Sequence, residues 1–505
     1  MHFLLACICC FQQAEPVCTY NVTDNDKQTV VGMTEDEFRL TTSFGHAVIR
    51  SDQVRFVTAK KGEHVFRFAD GTTLTGQLET SVLNLETADG PKEIAVADIA
   101  SISVSVPAVP IPNTIVDGVA ANGVSYHLHV PNDYSAKTTL PAILILHGSN
   151  MNSRAYVNTI KTAWPDIARR YVLIGINGER LNQNSKPDNP SYNYTYVNFM
   201  GRSTYKGFPG TDRESPALVS EVLREIQQDV NISRVFVGGH SQGGFLTYML
   251  VMHYPELFSG AFPVAGGMVI QADPTAFDDA DLRSLQREIP IAIVHAPNDP
   301  VVNYSMSTGA FRSFVNDGFP MIRLIDDTRS GHMFANLPIN RAIEWLETMT
   351  SDVPADILKS VNELWEDEQF HDALGLSHRL GSMTLDGSAT TELNEFKAIV
   401  SAHVSSDAER LLQLITANAD GTWVEDYHTF YSDFGFADDA KPVVAAYREL
   451  AKTHQEAGNK LYGEARRLFQ QQKQDEAYAK CQKIVDKFYA STRYRTVKTW
   501  LENRK

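Results

Sequence analysis

Between Thr41 and Val104 apolar residues recur at even spacing, as in Phe66 and Phe68, Leu74 and Leu78, Leu83 and Leu85, and Ile102 and Val104. A period of two marks strands with one buried face, and Asp70-Gly71 and Asp89-Gly90 fall between the runs as turns. The pattern predicts a small antiparallel β module over residues 19–106. Prolines at 107, 110 and 112 then stiffen the chain and mark a boundary.

Beyond the boundary the pattern changes. Residues 123–130 still alternate and place His127 and His129 on one strand face; with no third ligand nearby, both read as strand residues rather than metal ligands. Residues 142–146 are instead a continuous apolar run, as expected of a strand buried on both faces of a parallel sheet, and they end in His147-Gly148-Ser149-Asn150. Ser153 is placed to cap a helix reaching about Arg170. Strands at 171–176, 235–238, 291–295 and 321–325 interleave with helices at 216–230, after 241, and at 340–349. Such alternation predicts an α/β sandwich over residues 113–350, a mostly parallel sheet with helices on both faces.

After Asp352 strand signals give way to long helical patterns, giving an α-helical region over residues 351–505. Leu364-Trp365 with Ala373 and Leu468-Phe469 with Ala477 repeat one internal spacing, which predicts two related helix-turn-helix units. Packing of paired helices accounts for these aromatics; recognition of a protein partner by a concave helical surface is the sharper alternative.

Residues 235–245, VFVGGHSQGGF, run from apolar strand through Gly239-His240-Ser241-Gln242-Gly243 into a helical pattern. A serine at so sharp a turn projects its hydroxyl, and glycines two before and two after let the chain pass. The bland reading is a glycine-rich turn in some other α/β sheet; the functional one is a nucleophile elbow. A serine nucleophile needs a histidine base and a carboxylate to orient it. On α/β-hydrolase sheets these follow in the order serine, acid, histidine. Asp299, just beyond the strand 291–295, and His332, just beyond the strand 321–325, fit that order. Asp326 and Asp327 lie too close to His332 along the chain, while His147, His240 and His295 are not placed to bridge Ser241 and Asp299. For the oxyanion, the backbone N–H of Gln242 is one expected donor; Ser149 is the second, with its neighbour Asn150 also open.

The stretch 192–208 is rich in aromatics, and Tyr192, Tyr194, Tyr196 and Phe199 are candidates for a substrate pocket, self-packing of a long loop being the alternative.

With 45 basic against 61 acidic residues, a formal charge of -16, nucleic acid is not an expected partner. Four of five cysteines lie within the first 18 residues, with neither a disulfide framework nor a zinc spacing. The apolar run Phe3–Phe11 makes residues 1–18 a possible signal segment, so a secreted or periplasmic location is expected, with a cytoplasmic one otherwise; Leu4-Leu5-Ala6-Cys7 also looks like a lipoprotein cleavage site. No later stretch is long and apolar enough to span a bilayer.

Residues 113–350 resemble the esterase and polyhydroxybutyrate depolymerase group of α/β-hydrolases, which includes feruloyl and acetylxylan esterases. The resemblance is carried by Leu146-His147-Gly148, the stretch 233–244, Tyr254-Pro255-Glu256-Leu257-Phe258, Asn298-Asp299 and Gly331-His332. It implies a serine carboxylic-ester hydrolase with neither metal nor organic cofactor, acting on feruloyl, acetyl-polysaccharide or polyester-type substrates. The acid loop departs from the group's pattern, reading His-Ala-Pro-Asn-Asp where a glycine commonly follows the histidine. The N-terminal module resembles SH3-like or Sm-like barrels in strand count, and the C-terminal helices are similar to degenerate tetratricopeptide repeats. A catalytically idle scaffold is the reading from another class. A peptidase of the prolyl-oligopeptidase type is disfavoured because its propeller needs far more sequence than the first 110 residues offer.

Overall fold

The computed structural model describes residues 19–502, except 26–28, 33–36, 51–53, 61, 69–72, 106, 183, 187–188, 196–214, 269–271, 275–276, 278, 328, 418–420 and 492. The expected signal segment therefore lies outside the described residues. Packing divides the chain into two units: Met1–Ala276 with Ala292–Gly309 and Leu324–Ile343, and Phe277–Ile291 with Ala310–Arg323 and Glu344–Lys505.

In the first unit, the described residues between 19 and 105 form antiparallel strands, joined in an eight-stranded sheet and a separate hairpin of Val82–Thr87 with Gly90–Ala95. The first strand, Thr19–Asp24, pairs with the last, Ile99–Ser105, setting Val22 opposite Ile102. Tyr20, Leu40, Val57, Phe66 and Ile102 are buried together, which is what the even spacing of apolar residues requires.

The second sheet contains β1 (Ile115–Val119), β2 (Ser125–His129), β3 (Leu140–Leu146), β4 (Val172–Ile176), β5 (Ile232–His240), β6 (Gly260–Val264), β7 (Ile291–His295) and β8 (Ile322–Asp326). Their order is β1-β2-β4-β3-β5-β6-β7-β8. β2 runs antiparallel to β1 and β4, whereas β3 runs parallel to β4 and β5, and β5 to β6. All five residues of β4, β6 and β7 are buried, so these strands are covered on both faces and have no polar side to alternate with.

Helices α1 (Ser153–Ala163), α2 (Pro165–Arg170), α3 (Ser215–Asp229), α4 (Gln242–His253), α5 (Ala280–Arg287), α6 (Ser305–Asn316) and α7 (Ile339–Met349) are interleaved with the strands. Two expectations are corrected. The helix expected from Ser153 to Arg170 is broken at Trp164-Pro165, where proline opens α2. Its cap is Asn152, whose side chain accepts from Ala155 N at 2.9 Å. Ser153 is instead the first helical residue, buried, with its hydroxyl 2.7 Å from His127 Nδ1.

In the second unit α8 (Pro354–Glu366) and α9 (Phe370–Ser382) form one hairpin, and α10 (Lys441–Gln470) and α11 (Gln474–Lys487) another. Glu368 and Gln472 occupy equivalent turn positions with left-handed φ of 58° and 60°. Each turn repeats the same backbone bonds, Gln369 N to Leu364 O at 2.8 Å and Lys473 N to Leu468 O at 2.9 Å. Ala373 and Ala477, at matching positions in the two hairpins, are both fully buried.

Candidate active site

Ser241 sits between β5 and α4 at φ 53° and ψ -114°, a backbone conformation that non-glycine residues adopt only where the surrounding structure enforces it. The enforcement is visible. Ser241 N donates to Val264 O at 2.9 Å, Gly243 N to His147 O at 3.1 Å, and Phe245 N to Ser241 O at 3.1 Å. A Cβ on Gly239 would stand 2.3 Å from Gly243 O, and one on Gly243 would stand 2.5 Å from Leu146 O. Both glycines are therefore required by space.

Asp299 and His332 meet. His332 Nδ1 lies 2.6 Å from Asp299 Oδ2, leaving Nε2 as the nitrogen directed away from the carboxylate. The other carboxylate oxygen, Oδ1, accepts from the backbone N–H groups of Val301 at 2.7 Å and Val302 at 2.9 Å. Burial acts to raise the Asp299 pKa, but the bonds from His332 and these two N–H groups outweigh it and hold the carboxyl below its usual range. The acid is thus a carboxylate at neutral pH.

His240, the residue before the serine, joins the two halves of the site. Its Nε2 lies 2.7 Å from the backbone oxygen of His332, an acceptor only, so the ring hydrogen is on Nε2. Nδ1 then accepts from the Tyr156 hydroxyl at 2.7 Å. The His240 and His332 rings are 4.6 Å apart, and Phe334 packs against both Tyr156 and His240. A hydrogen bond between the Ser241 hydroxyl and His332 is not among those formed by the described residues.

The loop after β3 approaches the serine at Gly148, where an added Cβ would lie 3.6 Å from Ser241 Cβ. Of the two residues left open as oxyanion donors there, Asn150 has its N–H committed to Asn193 Oδ1 at 3.1 Å. That leaves Ser149 as the favoured candidate beside Gln242, whose N–H opens α4 where the helix dipole favours negative charge.

Among the pocket candidates, Tyr196 and Phe199 lie outside the described residues. Tyr192 is half-buried, with its backbone N–H on Met151 O at 2.7 Å. Tyr194 is corrected: it is wholly buried, its hydroxyl accepting from His147 N at 3.1 Å and donating to Ile176 O at 2.7 Å while its ring stacks on His147. A ring so enclosed has no face for a substrate. Its backbone is pinned by the Gln242 side-chain amide, which makes two 3.1 Å bonds to Tyr194 N and O. Sequence reasoning also passed over His295, which lies 3.2 Å from Asp299 through Nε2. Its position four residues before the acid, at the end of the acid's own strand, was the available signal.

The strand order, with a strained serine after β5, an acid after β7 and a histidine after β8, defines an α/β-hydrolase fold. Residues 134–318 match the model of the phospholipase/carboxylesterase family. The central region accordingly has an α/β-hydrolase fold and is similar to the carboxylesterases of that family. It is similar to poly(3-hydroxyalkanoate) depolymerase C of Paucimonas lemoignei, with 27% identity over 139 residues, 28% of this chain and 30% of that protein. It is also similar to the bifunctional acetylxylan esterase/xylanase XynS20E of Neocallimastix patriciarum, with 29% identity over 98 residues, 19% of this chain and 13% of that one. The chain thus spans less than a third of the length of either relative. Among solved structures, a thermostable esterase matches at 17% identity and a TM-score of 0.32, covering 66% of this chain and 91% of that chain.

Proposed function

We propose that the protein hydrolyses carboxylic esters through an acyl-enzyme formed on Ser241, with His332 as the base and Asp299 as its orienting acid. The observation that carries this reading is the 2.6 Å bond from His332 Nδ1 to Asp299, beside an elbow serine in a strained backbone conformation. With Nδ1–H donated to the carboxylate, His332 Nε2 is the basic nitrogen. It takes the Ser241 proton as the hydroxyl attacks the ester carbonyl, then delivers that proton to the leaving alcohol. Water repeats the sequence on the acyl-serine and releases the acid. The N–H groups of Gln242 and Ser149 receive the developing oxyanion.

The named relatives put polyester, acetylated polysaccharide and short acyl esters forward as the substrate classes to compare. The test is hydrolysis of p-nitrophenyl acetate and of a panel of feruloyl, acetyl-sugar and hydroxyalkanoate esters by the wild type and Ser241→Ala. Loss of at least about 10³-fold in kcat on substitution is expected for a triad serine. Equal rates at background level for both proteins would favour the idle scaffold.

A further inference from the structure

We infer that His295 is a positioning residue of the active site, a neutral imidazole that donates from Nε2 to the catalytic carboxylate and fixes both its orientation and its basicity. The inference rests on the triad reading above.

His295 ends β7 and is fully buried. Its Nε2 faces two groups that only accept: Asp299 Oδ2 at 3.2 Å and the backbone oxygen of Val302 at 3.1 Å. The ring hydrogen must therefore sit on Nε2, shared between them. Nδ1 lies 2.7 Å from the Ser307 hydroxyl, which is also 3.1 Å from Gly266 O. One hydroxyl proton cannot serve both. If it goes to Nδ1, the ring is neutral; if it goes to Gly266, Nδ1 must carry a second hydrogen and the ring is an imidazolium. The 2.7 Å contact to Nδ1 is common to both states, and what selects between them is burial: the ring is fully enclosed, and burial, the largest influence on it, pushes its pKa below the ordinary value. The neutral ring with Nε2–H is the state these facts select.

That state matters for His332. Both histidines donate to the same oxygen, Oδ2. A neutral donor moderates the carboxylate without cancelling its charge, so Asp299 remains able to stabilise an imidazolium at His332. A protonated His295 would neutralise Asp299 and leave that imidazolium without its counter-ion. The groups that face this pair are Asp299, His240 against the His332 ring, and Tyr304 against the His295 ring, itself bonded to Asp326.

The test uses His295→Leu, which removes the donor, and His295→Gln, which offers an amide N–H in its place, on the full chain with p-nitrophenyl acetate. Without the second donor Asp299 is more basic and His332 holds its proton more tightly. For His295→Leu, kcat is expected to fall about 10- to 100-fold with KM within about twofold, and the acid limb of the kcat/KM profile to move up by about half a pH unit or more. His295→Gln is expected to restore most of kcat and return the limb. Histidine nitrogen NMR of the wild type is expected to show the Nε2–H tautomer for this ring at neutral pH. A His295→Leu enzyme with wild-type kcat and an unmoved limb overturns the inference, as does an imidazolium or Nδ1–H signal. So does an equal loss in both variants with no movement of the limb, which marks a purely structural role. Ser241→Ala, run in parallel, reports separately on the triad: activity surviving that substitution refutes the triad and not the tautomer.

Discussion

His240 holds the backbone of His332: a 2.7 Å bond runs from the ring of the residue before Ser241 to the backbone carbonyl oxygen of His332. In the proposed triad the elbow therefore contributes to the placement of both Ser241 and His332. For His240→Ala the Ser241 turn remains but the His332 loop loses its tie, so kcat on a p-nitrophenyl ester is expected to drop about 10-fold or more with little change in KM. Tyr156→Phe leaves the His240 Nδ1 without its donor. A loss of about 1–3 kcal/mol in urea unfolding is expected. Full activity in His240→Ala would refute the tie.

Acid should unfold the first unit before its carboxylates titrate. Burial lowers the pKa of His129, His147 and His240 from 6.5 to about 4, so the folded chain keeps them neutral where the unfolded chain binds protons. Their contribution is present above pH 6.5 and is lost as pH falls toward 4. Each ring fully shifted corresponds to roughly 3 kcal/mol. Thermal midpoints measured across pH 7.5 to 4 are expected to fall most steeply in that window; a flat curve would contradict the burial argument.

The elbow glycines admit no side chain. Gly239→Ala places a carbon 2.3 Å from the backbone of Gly243, and no flexible atom is available to yield. Destabilisation of about 3 kcal/mol or more is expected, together with loss of activity in whatever fraction remains folded. Calorimetry and active-site titration check it.

The two helical hairpins offer a paired experiment. Glu368 and Gln472 bear the cost of a left-handed backbone at matching positions, so Glu368→Gly and Gln472→Gly are each expected to stabilise the second unit by about 1 kcal/mol. Denaturant midpoints of the single and double variants check it, and destabilisation by either glycine would show that the side chain outweighs the strain.

The alternation of strands with helices and the elbow were legible because each depends on local spacing: apolar runs of five residues, and glycines two either side of a serine. The repeat at Ala373 and Ala477 was legible for the same reason. Beyond local reach the sequence is ambiguous. Nothing along the chain distinguishes Ser149 from Asn150 as an oxyanion donor, because the distinction depends on Asn193 arriving from another loop. Tyr194 looked like pocket wall because aromatic loops often are; its hydroxyl partners, His147 and Ile176, lie 47 and 18 residues away. The strand Gly260–Val264 was missed, since its glycine and proline mask a run that is buried throughout.

Asp299 has four hydrogen-bond partners on two oxygens: His332 and His295 on one, Val301 and Val302 on the other. A carboxylate with every edge occupied has no vacant lone pair on which to carry hydrogen between turnovers. In the proposed mechanism it is a permanent anionic wall, and the proton traffic of the reaction is confined to the imidazole in front of it.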